Sequence, residues 1–144
     1  MHDCPSAQPD MKGARVFGVL SGSEEAPRVA YLKPGARIAQ SMLARLGNVA
    51  PTQVFRFAAT CEEGRCTHFD GARCKLGERV ATQLVSVVDT LPPCQIRASC
   101  RWFAEQGGAV CLRCPQIVTA VSHDDPLSRI AASSDVAAAS ESPR

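Results

Sequence analysis

The stretch TQVFRFAAT, residues 52–60, reads as a β-strand, and it runs without a break into Cys61. That junction sets the expected layout: a scaffold of strands and a helix in front, a cysteine-rich region behind. Upstream, RVFGVLSG (15–22) and RVAYL (28–32) read as two further short strands, with the turn-rich SGSEEAP between them. LKPGARIAQSMLARLGN (32–48) predicts a helix after Pro34-Gly35. Ile38, Met42 and Leu46 would share one face, and Gly47 supplies a C-terminal stop. The first 14 residues, with Pro5, Pro9 and Gly13, are expected to form a flexible N-terminus.

Downstream of the strand, CEEGRCTHFDGARCKLG (61–77) has three glycines and no apolar period, and reads as a metal-binding loop. ERVATQLVSVVDTL (78–91) predicts a helix lined by Val80, Leu84, Val87 and Leu91 and stopped by Pro92-Pro93. QIRASCRWFAEQGG (95–108) predicts a second helix, with Ile96, Cys100, Phe103 and Ala104 on one face. QIVTAV (116–121) reads better as a strand. From about residue 122 the chain is small, polar and alanine-rich, and is expected to be a disordered tail to residue 144. The fold class expected is α+β: one domain over 15–121, a small N-terminal strand/helix scaffold followed by a helical metal-binding part at 61–119.

Cysteine is the anomaly of the composition. The 144 residues hold 8 cysteines, and all but Cys4 fall between residues 61 and 114, spaced C-x4-C-x7-C-x19-C-x5-C-x10-C-x2-C-P. No charged start followed by an apolar stretch marks a secretory leader, and no apolar run approaches a membrane span, so a soluble cytoplasmic protein is expected. In a reducing compartment so many thiols point to metal or redox chemistry rather than to a disulfide framework. Thiolates select zinc, copper(I) or iron–sulfur clusters. Cys94, Cys100, Cys111 and Cys114 suffice for one tetrahedral zinc or one [4Fe–4S] cluster. Cys61, Cys66 and Cys74, helped by His68, would complete a second site or supply alternative ligands. Cys4, in the loose terminus, is not expected to be a ligand. Wide, uneven gaps and the proline after Cys114 favour iron–sulfur, whereas His68 beside Cys66 is a natural zinc ligand.

LPPCQIRASCRWFAEQGGAVCLRCPQIVT (91–119), with the upstream CTHFDGARCKLG, resembles small bacterial cysteine-rich proteins often labelled nitrogen-fixation proteins. The resemblance spans about residues 61–119 and implies an iron–sulfur setting, without a finer activity.

Enzyme signatures are missing. There is no G-x-S-x-G elbow, no H-E-x-x-H helix and no phosphate-cradling glycine loop, and the three histidines are scattered. The expectation is therefore an iron–sulfur protein that transfers electrons, or assists a larger redox or biosynthetic enzyme, through a protein partner. With a net charge of +2 and no strongly basic segment, nucleic acid is not an expected partner of that protein. The alternatives are a zinc-stabilised module binding protein or nucleic acid, and a dithiol–disulfide oxidoreductase using Cys111 and Cys114. Arg97, Arg101 and Arg113 are candidate donors to cluster sulfurs or candidate partner contacts, and Trp102 a candidate solvent shield.

Overall fold

The computed structural model describes residues 1–23 and 25–119. Four strands form one antiparallel sheet: β1 (Asp3–Ala7), β2 (Arg15–Gly22), β3 (Pro27–Tyr31) and β4 (Phe55–Thr60), in the spatial order β1-β4-β2-β3. Four short helices follow the strands or join them: α1 (Gln40–Ala44), α2 (Lys75–Gln83), α3 (Arg101–Gln106) and α4 (Gly108–Cys111). The fold class is α+β. Among the described residues no helix is long and apolar enough to cross a membrane.

Central position explains why β4 is so apolar. Alternate residues of a strand point to opposite faces, and both faces of β4 are covered. Phe55, Phe57 and Ala59 pack with Ala7 and Val16 under Ile38, Leu43 and Leu46 from the α1 segment. Burying a phenylalanine such as Phe57 contributes about 1.5–3 kcal/mol. Ala58 faces the other way, with Phe17 and Ile96, toward the cysteine-rich half. Arg56, on the cysteine side of the strand, is fully buried.

Several expectations are corrected. The N-terminus is not loose: Asp3–Ala7 is an edge strand paired with β4, and Asp3 also bridges to Cys100. The Asp3 carboxylate accepts from Arg15 at 2.7 Å and from the Ser99 hydroxyl, which fastens β1 to the segment that starts α3. The helix expected over 32–48 shrinks to Gln40–Ala44, and Met42 is half exposed while Leu43 turns inward. The helix expected over 78–91 begins earlier, at Lys75, and stops at Gln83. Beyond it lie Val85, Val87 and Val88, whose β-branched side chains are stiff in a helix, and the Val87 N–H bonds to Leu112 instead. The helix expected over 95–108 starts only after Cys100, which is its N-cap residue, and ends at Gly107 with φ of +71°. Gln116 lies in a 3-10 turn, Cys114–Gln116, not in a strand. The tail expected from residue 122 lies outside the described residues.

Trp102 is the centre of the helical half. It is 1% exposed and packs with Leu76, Val80, Val110, Cys114 and Ile117. A Cβ at Gly77 would sit 2.7 Å from the indole Cδ1, so α2 approaches the ring closely only because this residue is glycine.

Candidate metal centre

All eight cysteines are free thiols, and the fold sorts them into two groups of four, each lining a cavity that Trp102 also lines. Trp102 and Pro5 line both cavities.

The first group is Cys94, Cys100, Cys111 and Cys114. Cys94 precedes the 3-10 turn Arg97–Ser99, Cys100 caps α3, Cys111 closes α4 and Cys114 opens the next turn. These are the four residues expected to form one site, and they surround a void of about 20 Å³ walled by Phe17, Tyr31 and Trp102. Burial pushes the Cys94 and Cys111 thiols up, and takes Cys100 to about 12. Opposing this, Arg97 lies beside Cys111 and favours its thiolate.

Arg56 joins the sheet to this group. Its Nε donates to the Pro5 carbonyl at 2.8 Å, Nη1 to the Cys114 carbonyl at 3.0 Å, and Nη2 to the Cys114 Sγ at 3.1 Å. The guanidinium stacks over Phe17 and Trp102, at 5.2 and 5.8 Å from the ring centroids. No carboxylate among the described residues pairs with it. Sequence reasoning missed Arg56. The available signal was a single arginine between two phenylalanines in a strand buried on both faces, where an ionised side chain requires a partner.

The second group is Cys61, Cys66 and Cys74, as expected, with Cys4 as an unexpected fourth member. They come from the end of β4, the loop beyond it, the N-cap of α2, and β1. The four line a larger cavity of about 110 Å³, together with His68, Arg101 and Trp102. Burial takes the Cys4 thiol to about 12, and Cys74, Cys61 and Cys66 lie near enough to add to the shift. Arg101 donates from Nε to Cys61 Sγ at 3.2 Å, and its two other nitrogens are held by Glu105 and Glu63 at 2.9 and 2.6 Å. The N–H groups of His68 and Gly77 point to Cys66 Sγ and Cys74 Sγ at 3.4 and 3.5 Å.

His68 lines this cavity, but its Nδ1 lies 3.0 Å from Arg79 Nη2. Arginine only donates, so Nδ1 accepts and the neutral ring carries its proton on Nε2. Arg113 reaches no sulfur; it bonds to the carbonyls of Leu84 and Ala109. Among the described residues no group of three or more His, Cys, Asp or Glu side chains is gathered closely enough to hold a metal ion directly.

Fold and site together define an α+β protein whose cysteines form two tetrads, each with an arginine on a sulfur. No family model, curated protein or solved structure matches the chain.

Proposed function

We propose that the chain is a small iron–sulfur protein. A [4Fe–4S] cluster on Cys94, Cys100, Cys111 and Cys114 would take one electron from a reduced partner and pass it to an oxidised one, or serve a larger redox or biosynthetic enzyme. No atom is transferred, so the absence of an acid–base constellation is no obstacle to this role.

Arg56 carries the reading. A cation with 0% exposure and no carboxylate partner is costly by several kcal/mol. Its one side-chain acceptor is the Cys114 sulfur. As thiols, the four cysteines offer no negative charge. Ligation removes their protons, because metals bind thiolates, and the resulting anionic site is the counter-charge Arg56 lacks. A hydrogen bond from a buried cation to a ligating sulfur also tunes the reduction potential of a cluster.

Zinc is the second reading, favoured by one observation. The void between these sulfurs has room for about one water-sized sphere, so a single ion enters it with less displacement than a cluster does. The protein would then be a zinc-stabilised module that binds protein or nucleic acid. A dithiol oxidoreductase has less support: Cys111 closes a helix instead of opening one, and burial pushes its thiol up, the reverse of an activated nucleophile.

The test is anaerobic purification followed by a visible spectrum and iron, sulfide and zinc counts on one sample. Iron and sulfide in equal amounts, at least about four of each per chain, are expected. Stoichiometric zinc with no visible absorption refutes the cluster. Neither metal refutes both metal readings.

A further inference from the structure

We infer that the chain has a second metal centre, on Cys4, Cys61, Cys66 and Cys74, suited to an iron–sulfur cluster and sharing Trp102 as a wall with the first. The kind of metal rests on the reading above; the location does not.

Three independent features point to this cavity. Four sulfurs from separate segments surround it, and Cys4 arrives only because β1 pairs with the end of β4 beside Cys61. Its volume, about 110 Å³, is several times the roughly 10–15 Å³ that a single water-sized occupant needs. A polynuclear group enters such a space with less displacement than it does at the first site. Finally, the Trp102 indole N–H is buried and has no hydrogen-bond partner among the described residues. It faces the cavity near Cys74, close enough to favour that residue's thiolate though outside hydrogen-bond geometry. Buried N–H groups are almost always satisfied, and a Cys74 thiolate or a sulfide in this cavity would accept from the indole more strongly than the Cys74 thiol does.

The charge arrangement agrees. Arg101 has an 8% exposed side chain, and its two carboxylate partners fix it so that Nε meets Cys61 Sγ. Such a donor to a ligating sulfur is what cluster sites use to set affinity and potential. It parallels Arg56 on Cys114 in the first group. Trp102 and Pro5 are a common wall of the two cavities.

The experiment compares iron, sulfide and zinc content in the full chain and in Cys4→Ala, Cys66→Ala and Cys100→Ala, all purified anaerobically, with far-UV circular dichroism to confirm folding. Cys66 lies in a loop, so its variant guards against loss of the β1 pairing in Cys4→Ala. About eight irons are expected in the unmodified chain and about four in each variant. Four irons in the unmodified chain, kept in Cys4→Ala and Cys66→Ala but lost in Cys100→Ala, overturn the second centre and leave the first standing. Iron lost from Cys4→Ala and Cys66→Ala but kept in Cys100→Ala supports the second centre and overturns the first. No iron, sulfide or zinc in any preparation overturns both, whereas zinc in place of iron, lost from Cys4→Ala and Cys66→Ala, overturns the cluster and keeps the location.

Discussion

Replacing Arg56 with methionine removes a buried positive charge from the first tetrad and keeps most of the apolar volume. The consequence for a cluster can be worked from its position. Nη2 is 3.1 Å from the Cys114 sulfur. Taking the charge as ~6 Å from the cluster centre, with an effective dielectric of ~20, the interaction with one added electron is ~3 kcal/mol. For a one-electron couple that is about 120 mV. Reduction adds negative charge, which Arg56 favours, so Arg56→Met should move the midpoint down by about that amount. Arg56→Lys keeps the charge but loses the planar fork that reaches the carbonyls of Pro5 and Cys114. It should hold most of the midpoint while giving up stability. Anaerobic potentiometric titration followed by electron paramagnetic resonance reads both variants. A midpoint unmoved in an Arg56→Met protein with its full iron count would refute the role given to this residue.

Other expectations follow from single contacts. Gly77→Ala drives a methyl group to within 2.7 Å of the Trp102 ring. Overpacking of that kind costs about 1–3 kcal/mol, visible as a lower melting temperature and altered emission from the chain's 1 tryptophan. His68→Ala should leave the iron count unchanged, since Nδ1 is already engaged by Arg79; loss of metal in that variant would make the histidine a ligand after all. The metal-free protein should weaken in alkali. Burial raises Cys4 and Cys100 from 9.0 to about 12, so the stability they contribute is complete below about pH 9 and is lost as the pH climbs toward 12. Denaturant titrations of the metal-free chain across that range check the sign, and a stability that rises there contradicts it.

Much of the scaffold was legible along the chain. The strands near 15–22, 28–32 and 55–60 are local signals, short runs rich in branched and aromatic residues between turns, and local chemistry is enough to make them. The helices were legible only in part. Apolar spacing marked the body of α2 but neither end: the helix begins at Lys75 inside the expected loop and stops at Gln83, and the Val87 N–H beyond it bonds to Leu112. Cys100 carries an apolar period that hides its role as a cap.

The amino-acid sequence by itself determined that this is an α+β chain with eight cysteines, four of them, Cys94, Cys100, Cys111 and Cys114, in one short stretch. Tertiary structure alone brought Cys4 to the cavity of Cys61, Cys66 and Cys74. Cys4 sits 57 positions before Cys61 in a segment with two prolines and no strand pattern, and its place depends on an edge strand that exists only when β4 is there to pair with it. The same holds for Arg56, whose alternation on a strand covered on both sides puts a charge among sulfurs 58 residues away. Non-local pairing of this kind is fixed by burial and hydrogen bonding in the assembled sheet, and no window of neighbouring residues contains it.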